Sequence, residues 1–267
     1  MIALSYQNHH ELQSGYAEEL TGYPEADPDA VPSFLNQPDV DFTNWPVRAF
    51  PAYYGSTYLL MSFLGERFGQ PFIRDLVAQQ RNGRFGVDDA FEAVGIAEDF
   101  DSAWGQWVVA NYSHAVDGND GYPALGARSP TTFPVEELPL VQASGHVTGQ
   151  WGTVTLLFRT PGDLSVTFDG GDDGRFSVWA RVVRSDTTAI RQLYLDGEGH
   201  GQLTVTGIDS LALIVGKTSF QGGDYTVSAN RPSVTAVAEQ ADGVRSPVPT
   251  TFLATPFPHR FNRAVTI

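Results

Sequence analysis

The first residues able to do chemistry are His9, His10 and Glu11. Imidazole and carboxylate are zinc ligands, but adjacent histidines point in different directions on a helix or strand. Only an irregular backbone would bring both to one metal. The helical solution is His-Glu-x-x-His, with both rings on one face, and it does not occur in the chain. The three residues are candidates for an irregular metal site, against the plainer reading of a solvated polar segment. Asp169, Asp172 and Asp173, in the run Asp169-Gly170-Gly171-Asp172-Asp173-Gly174, are candidates for calcium. Their spacing departs from an EF-hand, and glycine with aspartate is also ordinary hairpin chemistry. Gln13-Ser14-Gly15 lacks the leading glycine of a nucleophile elbow, and no glycine pattern for phosphate or dinucleotide is present. Trp151, Trp179 and Tyr194 are aromatics that could stack on a ligand; the alternative is that they fill a core.

The elements that must position these residues change character part-way along the chain. Residues 23–51 are loop-rich, with prolines at 24, 28, 32, 38, 46 and 51. Tyr53 to Phe68 predicts an amphipathic helix, with Tyr54, Tyr58, Met61 and Leu64 at three- and four-residue spacing and Gly69 as its C-cap glycine. Pro71 opens the next helix in its first turn, and two more are expected over residues 88–94 and 99–112, the last capped by Asp99 or Asp101. From Val135 the period falls to two. Seven short runs, at 154–158, 164–168, 176–183, 190–195, 202–205, 211–215 and 225–229, predict an antiparallel β-sandwich, since no helical pattern lies between them.

Charge and composition narrow the partners. The chain has 267 residues, with 31 Asp plus Glu against 16 Lys plus Arg, a net charge of −15. That balance repels phosphate backbones and anionic lipid, so nucleic acid and membrane surfaces are disfavoured. No apolar run reaches the roughly 18 residues a membrane span needs. The absence of cysteine excludes disulfides, thiolate metal sites and cysteine nucleophiles. No signal peptide is visible at Met1.

Order and wording then carry a resemblance. Glu11 to Tyr23, Phe34 to Pro38, Tyr54 to Leu59 with Glu66 to Gly69, and Trp107 to Tyr112 together resemble the C-terminal part of secreted bacterial zinc metallopeptidases of the His-Glu-x-x-His class, immune-inhibitor-A-like and hyicolysin-like proteins among them. The resemblance implies that Ser14 stands where the family has its third zinc ligand, a glutamate, and that Glu18 matches a later acidic position supporting the ligand shell. Serine is a poor neutral ligand, and the zinc motif lies upstream in the family, so the chain as given is expected to be inactive. Leu253 to Ile267 also looks like the opening of a C-terminal sorting or immunoglobulin-like module.

The expected fold is therefore α+β and multidomain. A helical peptidase-like subdomain over residues 1–125 precedes a β-sandwich over 135–230, with a linker and the start of a truncated module over 231–267. The expected function is that of a fragment or degenerate homologue of a secreted zinc metallopeptidase, with an upstream peptidase segment as its partner and protein or peptide as the family's substrate. It is placed extracellularly and given no cofactor as it stands; zinc belongs to the family, and calcium to the acidic loop. The alternative, from another class, is an extracellular module whose sandwich binds carbohydrate or protein.

Overall fold

A computed structural model describes residues 15–22, 28–43, 45, 51–81, 83–117 (backbone only from 114) and 130–171, 175–219 and 222–232. Helix α1 is described over residues 15–21; α2 (Ala30–Asn36), α3 (Pro51–Ala78), α4 (Arg84–Ala93) and α5 (Phe100–Asp117) follow. The long α3 is two helices: Gly69 has φ 83°, and Pro71 starts the second half two residues later, as expected from the sequence. Asp99 caps α5, its Oδ1 accepting the Ser102 N–H at 2.7 Å. Phe100 donates its N–H to Asp88 of α4 at 2.8 Å, joining the two helices.

Nine strands follow among the described residues, where the sequence showed seven: β1 (Thr132–Val135), β2 (Leu140–Val147), β3 (Thr153–Phe158), β4 (Gly162–Asp169), β5 (Phe176–Arg184), β6 (Thr187–Leu193), β7 (His200–Ile208), β8 (Ser210–Lys217) and β9 (Gly223–Asn230). They form a five-stranded sheet in the order β1-β3-β8-β5-β6 and a four-stranded sheet in the order β2-β9-β4-β7. All pairings are antiparallel except β1 with β3. The two extra strands, β1 and β2, each form an edge of their sheet.

Successive side chains on a strand face opposite ways, and on β8 both sets are apolar. Leu211, Leu213 and Val215 enter the core between the sheets, whereas Ala212 and Ile214 enter the core beneath the helices. β3 and β5 divide in the same way: Phe158 and Val178 face the other sheet, Leu157 and Trp179 the helices. The five-stranded sheet is thus covered on both sides, which is why β8 reads Leu-Ala-Leu-Ile-Val without a polar break. The four-stranded sheet has one solvated face, and β9 accordingly alternates buried and more exposed positions.

Helix α5 is the middle of the helical layer, buried continuously from Ala103 to Ser113. Trp104 packs edge-on against Trp151 at 5.2 Å, on the sandwich side. One turn on, Trp107 stacks on Phe34 of α2 at 5.6 Å and meets Phe42 edge-on. The approach to the sheet is close: a Cβ at Gly105 would overlap the Trp179 indole, and one at Gly216 would overlap Trp104. Backbone bonds reinforce the contact. Phe42 donates to Gln150 O at 3.0 Å, Thr153 to Pro38 O at 3.1 Å, and Asp39 accepts the Thr148 N–H at 2.8 Å on each carboxylate oxygen. The described helical residues before 118 and one face of the five-stranded sheet therefore share a core, separate from the core between the two sheets.

Candidate functional site

The helix layer covers one face of the sandwich, and among the described residues no further strand pairs with the edge strands β1 and β2. β1 ends the five-stranded sheet and β2 ends the four-stranded one, joined by residues 136–139. Between them lies a cleft of about 730 Å³, within the roughly 300–1,000 Å³ range of ligand sites. Leu140, Val154 and Leu156 supply its apolar lining, with Tyr225 of β9 buried to 3 % exposure beside them. Glu136 and Glu137 stand exposed at the rim. Burial pushes the Tyr225 phenol up to about 12, and the negative charge of Asp39 adds to the shift, so the hydroxyl stays a neutral donor and acceptor across physiological pH.

The lip of the cleft is unusually apolar for an edge. Phe133 of β1, in its lining, is 53 % exposed, and outside the lining Val141 of β2 is 80 % exposed. Pro134 removes one donor from β1 and blunts that edge. β2 has no such device: Leu-Val-Gln-Ala-Ser-Gly-His-Val contains neither lysine nor proline. Its one charge partner is across the sheet, where His146 Nδ1 lies 2.7 Å from Asp224 Oδ1 in a register pair with β9. Past the register shift between Leu140 and Ala143, the outward edge of β2 is a template for another strand.

The residues singled out in the sequence lie elsewhere. His9, His10, Glu11 and Ser14 are outside the described residues, as are Asp172 and Asp173. Glu18 is half-buried on α1, where its carbonyl accepts the Thr21 hydroxyl at 3.1 Å. Its neighbours fix α1 on α3: Gln70 Nε2 donates to the Tyr16 hydroxyl at 3.1 Å, and Ser62 donates to Glu19 Oε2 at 3.3 Å. Asp169 is half-exposed, accepts the Gly171 N–H at 2.9 Å and lies 3.5 Å from His200 Nε2. Among the described residues no group of three or more His, Cys, Asp or Glu is placed to hold a metal ion.

Trp151 and Trp179 are core residues, each 3 % exposed. Trp151 has φ 67°, a left-handed conformation that costs a non-glycine residue on the order of 1–3 kcal/mol. Its N–H bond to Lys217 O at 2.6 Å and its ring contacts with Phe100 and Trp104 hold it there. Trp179 donates its indole N–H to Ser177 at 3.0 Å. Neither ring has a face open to a ligand; both fasten α5 to the sheet. Tyr194, 62 % exposed, is the one of the three at the surface. The cleft residues escaped the sequence reading because β1 and β2 did. The one signal that pointed to them was the pair of prolines at 134 and 139 bracketing two glutamates, a short connection between two segments.

No family model matches the chain, and no curated protein matches it. Among solved structures it is similar to the pre-peptidase C-terminal domain of a collagenase from Bacillus anthracis, at 13 % identity, with 39 % of this chain and 100 % of that one covered and a TM-score of 0.32. It is also similar to PliG of Aeromonas hydrophila, a periplasmic lysozyme inhibitor of g-type lysozyme (17 %, 38 % and 95 %, TM-score 0.28). The Yersinia pseudotuberculosis-derived mitogen is a third (16 %, 42 % and 100 %, TM-score 0.26). At these scores the likenesses carry no argument about what this chain binds. The chain itself is an α+β protein built on a β-sandwich, and no helix among its described residues is long and apolar enough to cross a membrane.

Proposed function

We propose that this chain is an extracellular, non-catalytic binding module whose sandwich takes an extended segment of protein in the cleft between β1 and β2. The observation that carries this reading is the cleft itself, an apolar trough flanked by two strand edges with an acidic rim. Strand edges offer main-chain N–H and C=O groups at the spacing of another strand, and the trough takes every second side chain. Protein fits this chemistry better than carbohydrate, because a sugar site is built on open aromatic faces and two of the three suggested rings are sealed in the core. Short synthetic peptides and immobilised glycans, presented to the wild-type chain and to Ala143→Trp, test the proposal. Ala143 lines the cleft and is half-buried, so the larger ring fills the trough with little disturbance of the core. Peptides with apolar residues at alternate positions should bind, and Ala143→Trp should weaken them at least ten-fold. Glycan binding dependent on Tyr194, or peptide binding indifferent to Ala143→Trp, would overturn it.

The helical part supports a second reading, descent from a secreted zinc metallopeptidase with loss of its metal site. Its support is the ordered resemblance of α1, α3 and α5 to the family, and the docking of α1 on α3 by Tyr16 and Glu19. In that reading Ser14 has replaced a zinc ligand and Glu18 is a remnant. Metal analysis after dialysis against zinc should give far less than one equivalent. One tightly held equivalent, lost in His9→Ala or His10→Ala, would contradict it. A parallel dialysis against calcium tests Asp169, Asp172 and Asp173.

A further inference from the structure

One polar group in the cleft wall is buried without a partner. Tyr225 is 3 % exposed, and among the described residues its hydroxyl makes no hydrogen bond. A tyrosine hydroxyl this deep ordinarily finds one, because an unpaired buried group forfeits the bond it had with water. The ring is fixed: it stacks on Phe168 with centroids 5.7 Å apart and meets Phe176 edge-on at 6.1 Å. Gly145 of β2 is the register partner of Tyr225, and a Cβ there would overlap both Cζ and the hydroxyl oxygen. Glycine thus lets the phenol lie across the edge strand, and the hydroxyl end is what reaches the cleft that both residues line.

The field at that atom is negative. The charge of Asp39 adds to the rise in the Tyr225 pKa, and Glu136 and Glu137 stand exposed on the rim. His146 and Asp224, on the outer side of β2 and β9, pair with one another at 2.7 Å. A hydroxyl in a negative field is best matched by a cationic donor, to which it offers a lone pair. The lining around it, Leu140, Val154 and Leu156, is apolar. Lysine meets both demands, since its long apolar stem covers such surface and its ammonium is a compact donor at the tip. The planar fork of arginine is matched to paired acceptors, where a single hydroxyl stands here. The acidic rim supplies the counter-charge that a partly desolvated ammonium needs.

We infer that the Tyr225 hydroxyl is the specificity-determining group of the cleft, and that the protein segment it selects carries a lysine on the same face as its alternate apolar residues. The lysine ammonium donates to that hydroxyl in the field of Glu136 and Glu137. The inference rests on the proposed reading of the cleft as a protein-binding site and names the side chain the site prefers.

A matched set of short synthetic peptides, apolar at alternate positions and with lysine, methionine or glutamate at one central position of that face, is the probe. Each is titrated into the wild-type chain, Tyr225→Phe, Glu136→Gln/Glu137→Gln and Ala143→Trp. Tyr225→Phe removes an unpaired oxygen and keeps the ring, so urea unfolding at neutral pH should match the wild type. A clear loss of stability would mean that the hydroxyl already has a partner, and would overturn the premise. The lysine peptide should bind the wild type about ten-fold tighter than the methionine peptide, the scale of a hydrogen bond to a charged group. The glutamate peptide should be weakest. In Tyr225→Phe most of the lysine advantage should vanish while the methionine peptide binds unchanged, and Glu136→Gln/Glu137→Gln should flatten the salt dependence of lysine-peptide binding. A lysine advantage undiminished in Tyr225→Phe, or a glutamate peptide that binds as tightly as the lysine one, would overturn the inference. Peptides that bind, are blocked by Ala143→Trp and show no preference for lysine would overturn it and leave the binding reading standing. No binding by any peptide would remove both.

Discussion

The two faces of the five-stranded sheet and the seam at its β1 edge are built on opposite terms. The helical face is sealed by aromatics: Trp104, Trp151 and Trp179 interlock where α5 crosses β8 and β5, close enough that glycine is required at 105 and 216. The seam is sparsely filled, with Phe133 facing solvent and a cleft between two edge strands. Packing of the first kind fixes a structure; an apolar, half-empty seam leaves free energy available for a partner. Trp104, Trp151 and Trp179 are therefore structural, and the proposed binding surface is made largely of smaller residues at strand edges.

Substitutions should show this contrast in a definite order. Trp104→Ala removes the ring that joins the helical layer to Trp151, and a cost of about 3–5 kcal/mol is expected. Because the core is shared, far-UV signals from helix and strand should be lost in one transition. If the helical part melted first in the wild type, the shared-core account would fail. An effect on the order of 2 kcal/mol is expected at alkaline pH. Tyr225 titrates at about 12 in the folded chain against 10.0 for an ordinary tyrosine. A raised folded pKa means its contribution is complete below pH 10 and is lost as pH rises from about 10 through about 12. Chemical denaturation across that window should show the decline in the wild type and a flatter profile in Tyr225→Phe.

Asp39→Ala breaks the tie between residues 38–43 and the β2–β3 corner, where both carboxylate oxygens accept the Thr148 N–H. The expected loss is about 1–2 kcal/mol by thermal or urea unfolding, because burial already holds this carboxyl above its ordinary range and offsets part of the bond. Val141→Lys should be the smallest, within about 0.5 kcal/mol, since the side chain is 80 % exposed. It should nonetheless reduce strand addition at β2, because an edge lysine resists pairing. A large stability loss at Val141 together with unchanged peptide binding would reverse the contrast between seam and core.

Much of the architecture was legible in the chain. Gly69 and Pro71 mark the break in α3 because positive φ and a missing N–H leave few alternatives. Asp99 was readable as a cap, and seven strands showed through their period of two or their β-rich runs. β1 and β2 did not, for a physical reason. β1 is four residues long and holds a proline, and β2 is largely exposed and alternates only past its register shift, from Ala143 to Val147, so neither carries a long apolar alternation. The candidate site was invisible with them. For Trp151 and Trp179 the sequence left ligand stacking and core filling both open, and the helices that bury them are a tertiary fact. The unbroken Leu211-Ala212-Leu213-Ile214-Val215 was the available clue that both faces of that sheet are covered.

The most direct test of the claim that function lies at the seam is an NMR titration of the isotope-labelled full chain with the tightest-binding of the short synthetic peptides. The account predicts that the largest amide shifts cluster on β1, on residues 136–145 and around Tyr225, with α5 and β8 unmoved. Shifts centred on Tyr194, or spread over the exposed surface of α3, would contradict it.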